Sequence, residues 1–180
     1  MGRRTPDPLA HPERLTRSIY AYVAYRIGAG PDAEDVTSEV FARALRYRKS
    51  YDGSKGTPGA WLTGIARRVL AERATQDRDT VSEVPDTAAP GRLEDESVSR
   101  LTMQAAVATL GERDRELVAL RYGADLTAAQ IGELLDLSPN AVEVALHRAL
   151  RRLRAELEAD TPAAAPLTQR PPMPSTADGL

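Results

Sequence analysis

The sequence contains no cysteine and only two histidines. Without thiols the chain can form no disulfide, no thiolate zinc site and no cysteine nucleophile. The only histidines are His11 and His147, so no pair of neighbouring imidazoles is available for metal binding. The glycine-containing stretch DGSKG, residues 52–56, is too short for a phosphate-binding loop. These absences argue against an enzyme, and we expect no catalytic residue and no metal or other cofactor.

Long apolar runs are also missing. No stretch approaches the roughly 18 to 20 apolar residues of a membrane span. The N-terminus MGRRTPDPLAHPER has arginines but no apolar segment behind them, so it does not resemble a secretory signal. We therefore expect a soluble, cytoplasmic protein with no membrane insertion. Its 180 residues, 42% hydrophobic and 28% charged, fit one or two small globular domains.

The overall charge of −2 conceals an uneven distribution along the chain. Residues 13–79 carry 12 Lys/Arg against 9 Asp/Glu, residues 80–100 carry 2 against 5, and residues 101–158 carry 7 against 9. Within the last segment, residues 147–154 hold four arginines and no acid. Positive charge therefore lies in the first half of the chain and on one later helix, where it could meet nucleic acid.

Apolar residues recur at helical spacing throughout, and no run alternates as a strand would, so we predict an all-α fold. The first helix ends at the Gly28–Gly30 break. The second is expected to start at Asp32 as its cap and to bury Val36, Val40, Phe41, Ala44 and Leu45. Thr57 and Pro58 begin a third helix, in which Trp61 is in phase with the core residues Ile65 and Val69.

The second half of the chain has clear helix boundaries. Gly123 stands where a glycine commonly terminates a helix. Thr127 and Gln130 form a capping box, and a short turn at residues 136–138 leads to a helix that Ser138 can cap. We predict two small helical domains, residues 13–79 and 97–158, joined by a flexible acidic linker at 80–96. The terminal segments 1–12 and 159–180 are expected to be disordered.

Two stretches carry a resemblance to a known family. DAEDVTSEVFARAL with the later GAWLTGIAR resembles conserved region two of the extracytoplasmic-function (ECF) sigma factors, a class of the sigma-70 superfamily of bacterial RNA polymerase. LGERDRELVALRYGADLTAAQIGELLDLSPNAVEVALHRALRRLR resembles their region four, a helix-turn-helix. The resemblance implies a subunit that binds core RNA polymerase and promoter DNA. It also allows for an anti-sigma factor as a further partner.

The resemblance assigns the exposed side of the second helix to polymerase. That side carries Asp35, Glu39, Arg43 and Arg46. The alternative is a solvated helix face with intrahelical pairs such as Glu39 with Arg43, each contributing roughly 0.2–0.5 kcal/mol.

The loop after the second helix is assigned to the single-stranded minus-ten element. Its aromatic and basic residues, with two arginines of the third helix, are Tyr47, Arg48, Lys49, Tyr51, Lys55, Arg67 and Arg68. Aromatic rings stack on bases and cations neutralise phosphate, although both tyrosines could instead cover the domain core. Members of the family usually continue the third helix into several arginines, whereas this chain continues VLAERATQDRD, so strand opening is expected to be weaker or more dependent on polymerase.

The helix after Ser138 is assigned to the minus-thirty-five duplex. Val142, Leu146, Leu150, Leu153 and Leu157 are predicted to face inward. The predicted DNA-facing residues are Ser138, Asn140, Glu143, Val144, His147, Arg148 and Arg151. A carboxylate can accept a hydrogen bond from cytosine, and a valine can contact a thymine methyl.

The same helix leaves a second function open. Relatives usually have lysine where Glu143 stands and arginine where Ala145 stands, which predicts low affinity for DNA in the absence of polymerase. A sigma-like interaction module that binds polymerase or an anti-sigma factor without promoter-specific initiation is therefore the alternative function. A helix-turn-helix regulator acting alone would leave residues 13–79 unexplained.

Overall fold

A computed structural model describes residues 7–79 and 105–159, apart from the side chains of 77–79 and 159. All regular structure in these ranges is helical, which confirms the all-α prediction. The helices are α1 (Pro12–Ile27), α2 (Pro31–Tyr47), α3 (Pro58–Asp79), α4 (residues 105–109), α5 (Glu112–Val118), α6 (Ala128–Leu135) and α7 (Pro139–Ala159). A 3-10 turn, Arg48–Ser50, follows α2, and a π-helical turn, Ala119–Gly123, follows α5.

We call residues 12–79 the N-terminal unit and residues 105–159 the C-terminal unit. The predicted linker 80–96, the first residues of the second predicted domain at 97–104 and the tail from 160 onward lie outside the described residues, as do residues 1–6. The N-terminal segment predicted to be disordered extends to residue 12. In the structure its residues 7–10 form a turn in which Pro8 is buried.

Glycine and proline set the junction between α1 and α2. Gly28, at φ 90°, follows the last residue of α1, and Gly30, at φ 138°, precedes α2. Both angles lie in the region that favours glycine. The prediction of Asp32 as the cap of α2 is wrong, because Pro31 occupies the first helical position. Proline suits that position since its missing N–H would have no partner there, and Asp32 falls in the first turn instead.

The N-terminal unit packs α2 against α3 and α1. Four apolar residues of α3 are buried, namely Leu62, Ala66, Val69 and Leu70, together with the polar residue Thr63. On α2, the predicted residues Val36, Val40 and Ala44 are buried, but Leu45 is 58% exposed, so its inward assignment is wrong. Leu45 lies one residue beyond Ala44, which turns it about 100° away from the buried stripe.

The C-terminal unit forms a helix-turn-helix from α6 and α7. The predicted capping box is confirmed: Gln130 N donates to Thr127 Oγ1, and Thr127 N donates to Gln130 Oε1 at 2.9 Å. Ala141 N donates to Ser138 Oγ at 3.1 Å, which confirms that cap too. A small core joins α4, α5 and α7; its buried members are Ala106, Val107, Leu110, Val118, Ala149 and Leu153.

The two units do not stand apart in the structure. One continuous core contains Ile19, Tyr22 and Leu62 of the N-terminal unit together with Leu120 and Ile131 of the C-terminal unit. Helix α1 lies along the π-helical turn, and α3 contacts α6. The sequence predicted two helical domains, and the structure adds that they bury apolar surface against each other.

Candidate functional site

Helix α7 presents its predicted DNA-facing side to solvent. Val142, Leu146 and Leu153 are buried, which confirms those three inward assignments. All seven predicted DNA-facing residues are exposed: Ser138, Asn140, Glu143, Val144, His147, Arg148 and Arg151. Val144 is 44% exposed, so its methyl groups are open to a partner. The side of α7 that a DNA groove would meet is therefore uncovered.

The turn before α7 depends on one glycine. Asp136 adopts a left-handed conformation at φ 55°, and Leu137 N donates to Gly132 O at 2.9 Å. A Cβ atom on Gly132 would lie 2.4 Å from Leu137 O. Only glycine lets the α6 backbone approach the turn this closely, and that approach sets how α7 leaves α6.

The loop after α2 separates the two predicted base-stacking tyrosines. Tyr47 is 52% exposed, whereas Tyr51 is only 8% exposed. The Tyr51 hydroxyl donates to Gly56 O at 2.9 Å, and its ring packs against Trp61 with centroids 5.5 Å apart. Burial, followed by the nearby Asp52 carboxylate, raises the pKa of Tyr51. In this structure Tyr51 covers the core, and Tyr47 is the ring that a base could reach.

The rest of this loop is held by its own hydrogen bonds. Asp52 Oδ1 accepts from Ser54 N at 3.0 Å and from Ser54 Oγ at 2.7 Å. These two bonds, the side-chain bond first, lower the pKa of Asp52. The predicted cations of the loop and of α3, Arg48, Lys49, Lys55 and Arg68, are all exposed. The loop thus offers positive charge and one ring on an ordered backbone.

Arg67 differs from the other predicted DNA contacts, because it lies between the two units. Its Nε donates to Glu116 Oε1 at 2.9 Å, and its Nη1 donates to Leu134 O at 2.7 Å. Both partners belong to the C-terminal unit. In this arrangement Arg67 is engaged within the protein and does not extend into solvent with Arg68.

Three further residues of this contact were not singled out from the sequence. Tyr22 is fully buried, and its hydroxyl donates to the Glu116 carboxylate at 3.1 and 3.2 Å. Burial, followed by the charge of Glu116, raises the pKa of Tyr22 far above its ordinary value, so the hydroxyl stays protonated and can donate. Arg26 Nε lies 2.8 Å from Glu116 Oε2. No local pattern marks these residues, since each looks like an ordinary helix position.

On the predicted polymerase face of α2, two of the four residues are exposed and two are held in ion pairs. Asp35 and Arg46 are exposed, and no ion pair to either occurs among the described residues. Arg43 instead bridges Glu39 at 2.6 Å and Glu72 of α3 at 2.7 Å. Hydrogen bonds to Glu39 and then to Glu72 raise the pKa of Arg43. Arg43 therefore fastens α2 to α3 through Glu72, while Glu39 holds its guanidinium from within α2.

Comparisons with known proteins find a family match for each half of the chain. Residues 13–80 match the family model of Sigma-70 region 2, and residues 100–153 match that of Sigma-70, region 4. The ECF RNA polymerase sigma factor ShbA of Streptomyces griseus is 35% identical, over 87% of this chain and 89% of ShbA. The chain belongs to the ECF RNA polymerase sigma factors. BldN of Streptomyces coelicolor, also an ECF sigma factor, is 31% identical over 82% of this chain, which spans 59% of BldN.

Two solved structures share the fold. The sigma factor RpoE in complex with the anti-sigma factor NepR from Bartonella quintana matches with a TM-score of 0.67 and 17% identity, over 82% of this chain and 94% of RpoE. CnrH in complex with the cytosolic domain of CnrY matches with a TM-score of 0.58 and 21% identity, over 85% of this chain and 87% of CnrH. Within residues 7–79 and 105–159, no helix of this sigma factor has both the length and the apolar character to cross a bilayer.

Proposed function

We propose that this ECF sigma factor docks on core RNA polymerase through α2, contacts the minus-ten element with the loop after α2 and reads the minus-thirty-five duplex with α7. It acts in the cytoplasm and contributes no catalytic group of its own. The observation that carries the proposal is the uncovered face of α7, from Asn140 to Arg151, in a chain that has both sigma regions. The anti-sigma factor bound to the RpoE neighbour supports a similar partner here.

The exposed residues of α7 form two groups, one placed to contact bases and the other placed to contact phosphates. Glu143 and Val144 lie in its first two turns, where a recognition helix reaches base edges. Arg148 and Arg151 follow on the exposed side, and no ion pair to either occurs among the described residues. Arg152 differs, because it pairs with Asp114 of α5. We therefore assign phosphate contacts to Arg148 and Arg151, and base contacts to Glu143 and Val144.

The direct test is run-off transcription with core polymerase on a genomic library, followed by sequencing of the start sites. A shared promoter with two elements at fixed spacing is the expected result. The alternative function, a sigma-shaped interaction module, is favoured by Glu143 and by the engagement of Arg67. It predicts that start sites with this protein are no more specific than those of core polymerase alone.

Substitutions on α7 should separate phosphate contacts from base contacts. Arg151→Ala is expected to weaken transcription from all cognate promoters alike and to flatten the logarithmic salt dependence by about one unit. Glu143→Lys is expected to change which minus-thirty-five sequences are used, with a discrimination of roughly 1–3 kcal/mol at one position. Transcription of a promoter library at several salt concentrations measures both effects.

Controls for these variants lie away from the predicted DNA face. Arg17→Ala removes an exposed arginine of α1, and Glu156→Lys makes the same charge change near the far end of α7. Both controls should leave promoter choice and salt dependence as in the wild type. If Glu143→Lys also leaves promoter choice unchanged, α7 does not read bases and the interaction-module function is preferred.

The two tyrosines of the loop should respond differently to substitution. Tyr47→Ala removes an exposed ring, so we expect stability to be unchanged while the holoenzyme loses roughly 1–3 kcal/mol of affinity for a single-stranded minus-ten oligonucleotide. Tyr51→Phe removes the hydrogen bond to Gly56 and should cost roughly 0.5–1.5 kcal/mol of stability without loss of stacking. Oligonucleotide anisotropy and thermal unfolding measure the two effects. A Tyr47→Ala holoenzyme that binds the oligonucleotide normally would show that Tyr47 does not stack on a base.

A further inference from the structure

The first two turns of α7 carry no positive charge. Residues 139–146 include no lysine and no arginine, and the first arginine of the helix is Arg148. A bidentate bond from arginine or lysine to guanine is the commonest specific contact in the major groove. The N-terminal part of a recognition helix is the part that reaches base edges, so this part of α7 must read bases with other groups. It offers an amide, a carboxylate and an apolar side chain.

The three groups belong to the exposed residues Asn140, Glu143 and Val144. Among the described residues, Asn140 and Glu143 make no side-chain hydrogen bond and no ion pair. The neighbouring Ser138 differs, because its hydroxyl oxygen accepts from Ala141 N and is engaged in the helix cap. Within this part of the chain, the amide and the carboxylate are therefore available to an outside partner.

The placement of these side chains around α7 suits a groove. Successive residues of a helix are turned by about 100°, so Asn140 and Val144 lie opposite the stripe of α7 that is buried in the core. Their short side chains occupy the middle of the exposed face, where the helix comes closest to DNA. Glu143 lies at the edge of that face, and its longer side chain can reach into the groove from there.

The same side chains lie close together along the helix axis. From Asn140 to Val144 the axis advances by about 6 Å, at about 1.5 Å per residue. Base pairs of a duplex follow each other at about 3.4 Å, so these two side chains are less than two base-pair steps apart. The bases that they and Glu143 can reach are therefore confined to about three consecutive base pairs.

Each of the three groups has a preferred base in the major groove. An amide side chain pairs with N6 and N7 of adenine, and an apolar side chain contacts the C5-methyl group of thymine. An ionised carboxylate only accepts hydrogen bonds. Cytosine presents an amino donor alone, whereas guanine presents two acceptors, thymine presents one, and adenine places an acceptor beside its donor. Cytosine is therefore the base that best fits Glu143.

The carboxylate of Glu143 contributes specificity at a cost in affinity. The phosphates of the duplex repel it, and this repulsion is the same for every sequence. A hydrogen bond from cytosine offsets the repulsion at one base pair, whereas an acceptor on another base adds to it. Specificity arises from such penalties on the wrong partner as well as from gains with the correct one.

We propose that Asn140, Glu143 and Val144 form a reading triad that selects an adenine, a cytosine and a thymine within about three consecutive base pairs of the minus-thirty-five duplex. Glu143 selects cytosine by excluding the other bases, and it lowers the affinity of α7 for DNA in general. The proposal rests on the proposed function for the placement of α7 in the major groove. It adds which bases are read and assigns the choice of cytosine to repulsion.

Exchanging the amide and the carboxylate tests the reading triad. Glu143→Gln keeps the size of the side chain but supplies an amide, so the preferred base at its position should change from cytosine to adenine. Asn140→Asp makes the reverse exchange and should change adenine to cytosine; an acid in the first turn of a helix also suits the helix dipole. Holoenzyme transcription of a promoter library randomised across the minus-thirty-five element measures both variants. Each should change base preference by roughly 5-fold to 150-fold at a single position.

The matched control is Glu156→Gln, which makes the same replacement at an exposed position near the far end of α7. It should leave every base preference as in the wild type. A wild-type preference that both Glu143→Gln and Asn140→Asp leave in place would overturn the reading triad alone. If the wild-type holoenzyme shows no preference at any position of the randomised element, the proposed function fails and the triad fails with it.

Glu143→Ala separates exclusion from attraction. Removing the carboxylate should strengthen holoenzyme binding to a promoter duplex with guanine at the cytosine position by roughly fivefold or more, with little change for the duplex with cytosine. Fluorescence anisotropy of the two labelled duplexes at one fixed salt concentration measures this difference. Weaker binding to the cytosine duplex with unchanged binding to the guanine duplex would show that Glu143 attracts cytosine, and would overturn the assignment of its role to repulsion.

Discussion

Charge reversal at Asp35 is expected to abolish co-purification of this sigma factor with core RNA polymerase. Asp35 is exposed on α2 and makes no ion pair among the described residues, so Asp35→Lys breaks no ion pair within them. Truncating one partner of a buried intermolecular charge pair costs 2–5 kcal/mol or more, which weakens binding roughly 30-fold or further. Pull-down with tagged core polymerase measures the loss, and circular dichroism should show unchanged helix content.

The structure makes Asp35 a better test than Glu39. Reversal at Glu39 would also break its pair with Arg43 and place two cations together, so a loss of binding could come from local repacking. Glu34→Lys is the matched control, because Glu34 lies in the first turn of α2, is exposed and makes the same charge change about 100° around the helix. If Asp35→Lys binds polymerase as the wild type does, this side of α2 is a solvated face.

Gly132→Ala is expected to disable the helix-turn-helix. The new Cβ atom would lie 2.4 Å from Leu137 O, a backbone atom that can yield only if the turn before α7 opens. Forcing extra atoms into a packed site costs roughly 1–3 kcal/mol and occasionally more. Thermal unfolding should show the loss of stability. Transcription from promoters that depend on the minus-thirty-five element should fall while polymerase binding through α2 persists.

Another glycine within a helix provides the comparison for this variant. A Cβ atom at Gly64 of α3 would lie 3.9 Å from Leu134 Cδ2, which is an ordinary contact distance. Gly64→Ala should therefore be neutral or stabilising, by up to about 1 kcal/mol, because alanine is the better helix former. Equal stability of Gly132→Ala and the wild type would mean that the turn before α7 is not held by this close approach.

Local signals in the sequence predicted the helices well, because each signal and its effect lie within a few residues. The capping box of Thr127 with Gln130 spans one turn, and the Ser138 cap reaches only to Ala141. The buried stripe of α7 follows from a 3.6-residue period. Errors arose where two local signals competed. At the start of α2, Asp32 favours the capping position and Pro31 favours the first helical position. Pro31 occupies the first helical position, so the helix begins there and Asp32 lies inside it.

The candidate site was predicted less completely than the fold. Exposure of the α7 face follows from periodicity, since the opposite side must be buried. The difference between Tyr47 and Tyr51 does not, because it depends on how the loop returns to Trp61 and Gly56. A tyrosine in a loop is equally compatible with a core contact or a base contact until that path is known.

The sequence by itself determined the helix positions, the family and the side of α7 that faces solvent. Each of these depends on patterns within one helix or on motifs with fixed spacing. Only the tertiary structure decided that the units share a core and that Glu116 engages Tyr22, 94 residues away, and Arg67, 49 residues away. A charged residue on an amphipathic helix has the same local pattern whether it meets water or a distant partner. Which of the two it contacts is decided when helices far apart in the chain pack together, because a charge that this packing encloses needs a partner of opposite charge.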